Sequence, residues 1–90
     1  MKFEWDPDKS RANLEKHGID FETGRALWFD DGRVEILAPH PIEERRIIIG
    51  KLDNKLWTAV FTLRGDAIRI ISVRRARRKE VSLYGQKRIG

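Results

Sequence analysis

From Arg33 onward the hydrophobic pattern takes the period of strands, and that change limits the fold more than any other feature of the chain. Beyond it stand four runs rich in β-branched or aromatic residues, Val34 to Ala38, Arg45 to Leu52, Leu56 to Leu63 and Ala67 to Arg74, each of strand length. The connectors between them are short. The first holds Pro39 and Pro41, the second is Asp53-Asn54, and the third is Arg64-Gly65-Asp66. A parallel return needs a dozen or more residues, so consecutive runs are expected to be antiparallel neighbours. In the run from Leu56, residues Trp57, Ala59, Phe61 and Leu63 share one face and Thr58 and Thr62 the other. The run from Ala67, with Ile68, Ile70, Ile71 and Val73, is apolar on both sides and is expected to be central.

Before Arg33 the pattern is helical. Lys2 to Trp5 alternates as a short strand does, and Asp6-Pro7 then supplies an N-cap and an N1 residue for a helix over 7–17, with Gly18 free to take the left-handed conformation that ends it. Leu14 and His17 are expected on the inner stripe of that helix. Asp20 caps a second helix, whose Phe21, Gly24, Leu27 and Trp28 form one apolar face. Asp30-Asp31-Gly32 ends it as a turn. A third helix is expected from Arg77 to Tyr84 or a little beyond, with Val81 and Tyr84 packing inward. The result is a single α+β domain over residues 1–90, in the order β-α-α-β-β-β-β-α, with the helices collected on one face of a mainly antiparallel sheet. A chain of 90 residues buries roughly 64% of its unfolded surface, enough for one modest core.

Composition removes several function classes. Cysteine is absent, which excludes a disulfide framework, thiol redox chemistry and a thiolate metal site, and His17 and His40 do not by themselves make a structural zinc site. No metal or cofactor is expected. The apolar stretches are at most three or four residues long, and Met1 to Asp6 has no signal-peptide pattern, so a cytoplasmic protein that does not enter a membrane is expected. The formal net charge of +5 hides an asymmetry: residues 1–45 carry 7 basic and 11 acidic side chains, residues 46–90 carry 12 basic and 3 acidic. A polyanion, most simply a nucleic acid, is the partner that such a carboxyl half suits.

Three segments carry a family resemblance: Phe3-Glu4-Trp5-Asp6-Pro7 at the start, Asn13 to Phe21 (Asn-Leu-Glu-Lys-His-Gly-Ile-Asp-Phe), and Arg69 to Glu80 (Arg-Ile-Ile-Ser-Val-Arg-Arg-Ala-Arg-Arg-Lys-Glu). Their order, spacing and the chain length resemble the BrnT family of bacterial type II toxins over nearly the whole chain. The resemblance implies a RelE-like, ribosome-independent and metal-independent ribonuclease that arrests growth by cutting RNA. It also implies an antitoxin resembling BrnA, whose ribbon-helix-helix domain binds operator DNA as part of the complex, with two toxins bridged by an antitoxin dimer.

For a ribonuclease of this type the ribose 2′-hydroxyl attacks the adjacent phosphorus, giving a cyclic phosphate and a free 5′-hydroxyl. The reaction needs a base for the 2′ proton, an acid for the leaving oxygen, and cations for the charge growing on the phosphorus oxygens. Arginine suits the last task because it is always charged and grips two oxygens at once. Arg64, Arg69, Arg74, Arg75 and Arg77 lie on or beside the run from Ala67 and its exit into the third helix. Arg69 and Arg74 differ by five residues, so a regular strand sends them to opposite faces unless a bulge re-aims one. The alternative is that these arginines bind RNA phosphates or an acidic antitoxin surface without catalysis. For acid and base, His17 has a suitable ordinary pKa but also suits a helix C-terminus structurally. Glu80 and Tyr84 are further candidates, although Glu80 is equally placed to pair with Arg77 or Arg78; His40, Glu43 and Glu44 are weaker. The candidate catalytic set is therefore Arg64, Arg69, Arg74, Arg75, His17 and Glu80, with Arg77, Arg78, Lys79 and Tyr84 as RNA contacts. Trp28 and Trp57 fall on apolar faces and read as core before base-stacking platforms, and Trp5 as a staple at the first helix.

Overall fold

Local chemistry places the boundaries. Asp6, extended at φ −81° and ψ 120°, accepts the Asp8 N–H and opens α1 (Pro7–His17), and Gly18 at φ 77° closes it with its N–H on the Leu14 carbonyl. Asp20 accepts the Thr23 N–H at 2.8 Å to start α2 (Phe21–Gly24), which continues as a 3₁₀ turn (Arg25–Phe29). Ahead of α1 runs β1 (Lys2–Glu4). After the turn come β2 (Val34–Ala38), β3 (Arg45–Leu52), β4 (Lys55–Arg64) and β5 (Ala67–Arg75), then α3 (Arg78–Ile89). The computed structural model describes the backbone of residues 1–89 and the side chains of residues 1–86. Asp53 and Asn54 both hold positive φ, 52° and 63°, as a two-residue hairpin with strand-matched twist requires.

The fold is α+β, with a five-stranded mixed sheet in the order β1-β5-β4-β3-β2. Consecutive strands from β2 to β5 are antiparallel, and β1 lies parallel to β5, with Phe3 opposite Ile68. The run expected to be central, β5, is an interior strand between β1 and β4. It is β4 that stands in the middle.

On one face of the sheet Ile48, Ala59, Phe61, Ile70 and Val73 pack against Ile19, Phe21, Leu27 and Trp28. Trp28 sits edge-on between Phe3 and Phe61, at 5.2 and 5.1 Å between ring centres. Burial of each large side chain here contributes about 2–3 kcal/mol. Close approach needs glycine at position 24, since a Cβ there would stand 2.9 Å from a Val73 methyl.

The polar inner stripe of α1 departs from the sequence expectation. Leu14 is 47% exposed, whereas Ser10 and Asn13 are buried. Ser10 Oγ accepts the Phe21 N–H, and the Asn13 amide donates to the carbonyls of Ile19 and Val73 at 2.7 and 2.8 Å while accepting the Val73 N–H at 3.2 Å. β1 ends level with Arg69, so beyond it β5 lacks a strand neighbour on that side, and Asn13 stands in for one.

The helices do not share one face. Side chains alternate along β4, so Thr58 points away from the core that holds Ala59, and there its hydroxyl donates to Glu80 of α3 at 3.0 Å. Ile49, beside Ile48, is likewise buried on that second face, and α3 crosses over β2 and β3. Tyr84 packs inward as expected, but Val81 is 44% exposed, because Tyr84 and Glu80 set which stripe of α3 meets the sheet. Among the described residues no helix is long and apolar enough to cross a membrane.

Candidate functional site

A bulge in β5 decides where its arginines point. Val60 faces Ser72 but the next residue, Phe61, faces Ile70, so Ile71 has no partner across the ladder. The extra residue reverses the parity of everything after it. Arg69 stands opposite Thr62 and Arg74 opposite Thr58, and both therefore project from the second face, the one that carries α3. Their rungs are four residues apart on β4, about 13 Å, which makes them two separate positions on one surface.

At the Arg74 position the geometry is closed. Arg74 donates through both terminal nitrogens to the two Glu80 oxygens, at 2.8 and 2.9 Å, and Glu80 Oε1 also accepts the Thr58 hydroxyl and the Arg77 N–H. Glu80 is the third residue of α3 and reaches back to the N–H before the helix, the carboxylate half of a capping box. The Arg74 guanidinium, with the hydrogen bonds from Arg77 and Thr58, holds the Glu80 carboxyl down at about 2 against the opposing effect of burial. The same pair raises the Arg74 pKa. A carboxylate so acidic and so fully bonded is a poor proton acceptor, and a guanidinium fork already on a carboxylate is poorly placed to grip phosphate. The chemistry of this pair is to hold α3 on the sheet.

The Arg69 position opens into a cleft of about 160 Å³ lined by Lys9, Glu43, Arg45, Thr62, Arg64, Arg69 and Ile71. Four elements supply its cations: Lys9 from the first turn of α1, Arg45 from the start of β3, Arg64 from the end of β4, and Arg69 from β5 beside the bulge. The Thr62 hydroxyl donates to the Glu44 carbonyl at 3.1 Å and pins the 39–44 loop to the sheet. Arg69 pairs with Glu4 of β1 at 2.9 Å and Arg45 with Glu43 at 3.4 Å, both half-exposed pairs of small net strength. Four cations on a semi-open rigid floor suit a phosphodiester oxyanion, which exchanges readily for such exposed carboxylates. Among the described residues no three His, Asp or Glu side chains gather at metal-ligand distances.

The other sequence candidates lie elsewhere. His17 ends α1, eight residues from Lys9 and so about 12 Å farther along the helix. Arg75 projects from the core face, its guanidinium 5.4 Å above the Trp57 ring. The side chains of Arg78 and Lys79 are exposed on the first turn of α3, with Arg77 exposed just before it. Tyr84 is 4% exposed and its hydroxyl donates to Asp30, which also accepts the Lys51 N–H, so it is a clasp between α3 and the sheet edge. Trp28 is core and Trp57 packs against the core as expected, and Trp5 meets Phe21 edge-on. The cleft thus joins Arg64 and Arg69, and adds Lys9 and Arg45, which sequence reasoning did not select. No local signal marks either one, because the pairing of distant strands brings Arg45 there and the packing of α1 on β5 brings Lys9.

A sequence model of a family described as "Ribonuclease toxin, BrnT, of type II toxin-antitoxin system" matches residues 5–80. No curated protein matches the chain.

Proposed function

The chain belongs to the BrnT family of ribonuclease toxins of type II toxin–antitoxin systems, and from that premise we propose that it is a metal-independent endoribonuclease whose scissile phosphate lies in the Lys9/Arg45/Arg64/Arg69 cleft. Membership of the family implies an RNA substrate and an antitoxin partner. What supports the site is the cleft itself: four cations converge there on the open part of the second face, whereas Arg74 is held by Glu80. Arg64 and Arg69 grip the non-bridging oxygens, the ribose 2′-hydroxyl attacks in line, and a cyclic phosphate and a 5′-hydroxyl result. The mixed sheet with a helical layer is compatible with a RelE-like fold. The antitoxin is a BrnA-like ribbon-helix-helix protein, in a 2:2 complex that binds operator DNA, and the free toxin acts in the cytoplasm to stop translation and growth.

The test is to incubate purified, antitoxin-free protein with end-labelled RNA in EDTA, beside Arg64→Ala and Arg69→Ala variants. Cleavage leaving cyclic phosphate ends, with each variant slowed at least tenfold, is the expected result. Intact RNA beside a demonstrably folded protein would reduce the role of the cleft to binding RNA or the antitoxin. Cleavage that disappears in chelator would overturn the metal-independent mechanism.

A further inference from the structure

Cations account for the charge on phosphorus but not for the two proton transfers, and the carboxylates around the cleft are not equivalent. Glu80 lies at the other arginine position with its oxygens fully bonded. Glu4 is held by Arg69 at 2.9 Å. Glu44 pairs with Arg46 on the strand beyond and is not among the lining residues. Glu43 lines the cleft, is 36% exposed, and among the described residues has one contact, the Arg45 Nε on Oε1 at a long 3.4 Å, with Oε2 carrying none. Lys9 of α1 lines the same cleft, and no ion pair engages it among the described residues. A weakly tethered carboxylate and an ammonium with no ion pair among the described residues therefore share one small cleft with three arginines.

We propose that Glu43 is the general base of the cleft and Lys9 its general acid, an assignment that rests on the ribonuclease reading above. Glu43 takes the 2′ proton as the 2′-oxygen bonds to phosphorus; the bond from phosphorus to the 5′-oxygen breaks, and that oxygen takes a proton from the Lys9 ammonium. Glu43 then returns its proton to water and Lys9 regains one, so the protein ends as it began. The charged and titratable groups around Glu43 are Arg45 on β3, Arg64 on β4, Arg69 on β5, Lys9 on α1, and His40 and Glu44 on its own loop. His40 Nδ1 accepts the Ile42 N–H, which ties that nitrogen to the loop backbone.

The test uses the full chain and two RNA substrates, one ordinary and one with sulfur replacing the bridging 5′-oxygen at the cleavage site, because a thiolate leaves without a proton. Glu43→Gln is expected to lower kcat by about 100-fold or more on both substrates, to leave KM unchanged or lower, and to abolish the acidic limb of the pH–rate profile. Lys9→Met is expected to be slow on ordinary RNA and restored to within about threefold of wild type on the sulfur substrate, the comparison that separates a proton donor from a phosphate contact. Glu44→Gln is expected to match wild type. A Glu43→Gln variant that retains the wild-type rate and acidic limb would overturn the base, and a Lys9→Met variant equally slow on both substrates would overturn the acid. Should wild type cut neither RNA, the ribonuclease reading itself fails, a result distinct from either.

Discussion

Asn13 does for the far half of β5 what a sixth strand would do. One carboxamide satisfies both backbone groups of Val73 and the Ile19 carbonyl, all inside the protein, and so fixes α1, the loop after it and β5 in a single arrangement. Asn13→Ala should leave these groups unpaired and cost about 2–4 kcal/mol, read as a fall in the urea midpoint at unchanged slope. Asn13→Asp has nearly the same shape but puts carboxylate oxygen against two carbonyls, and is expected to be at least as damaging. If Asp were tolerated, the amide would not be the element that matters. The sequence pattern favoured Leu14 for the inner stripe because apolar spacing is a local signal, whereas His17, half-buried, does stand in line with Ser10 and Asn13. Ser10 and Asn13 are buried on account of partners as many as 60 positions away, which spacing does not register.

At the scale of elements, the first two turns of α3 are fastened by different chemistry. The first turn is tied to β4 and β5 by the Glu80 carboxylate, and the next turn to Asp30 by the Tyr84 hydroxyl. Since Glu80 titrates at about 2 when folded and near the ordinary 4.5 when unfolded, its contribution is complete above about pH 5 and fades as the pH falls through about 2. The linkage amounts to about 3 kcal/mol. Chemical unfolding followed from pH 6 to pH 2 should therefore show wild type losing that much more stability than Glu80→Gln, whose curve lacks the Glu80 component. Parallel curves would mean that the pair does not hold α3. Elements whose limits are set by adjacent residues were legible in the chain: α1 between Asp6 and Gly18, the Asp53-Asn54 hairpin, and the apolar face of Phe21, Gly24, Leu27 and Trp28. The parallel placement of β1, the bulge at Ile71 and the position of α3 on the second face were not, because each is settled by pairing between distant segments. The bulge matters most for the site. Parity alone sends Arg69 and Arg74 to opposite faces, and one inserted residue puts them on the same one.

For the molecule as a whole, the fold converts a charge asymmetry along the chain into a local field. The basic carboxyl half supplies Arg64 and Arg69 directly, and the topology brings Lys9 and Arg45 from the acidic half to meet them, while Glu80 takes Arg74 out of that surface. Binding of single-stranded RNA should accordingly weaken with salt, and each phosphate contact removed should lower the slope of log K against log salt by about 0.7. Arg64→Ala and Arg69→Ala are each expected to give that change in anisotropy titrations over a salt series, with melting temperatures close to wild type. Arg74→Ala should do the opposite: it leaves the buried Glu80 charge without its cation, costs about 3–5 kcal/mol of stability, and keeps the wild-type slope at temperatures where the variant is folded. If Arg74→Ala lowered the slope and spared the stability, the phosphate site would lie at the other end of the sheet face. The same field bears on the antitoxin. A partner that inhibits by covering the cleft must present acidic groups to it, so Arg64→Glu should weaken RNA binding and the toxin–antitoxin complex together, each by at least tenfold, in parallel anisotropy and calorimetric titrations. Loss of RNA affinity with an undiminished complex would show that the antitoxin inhibits from a different surface.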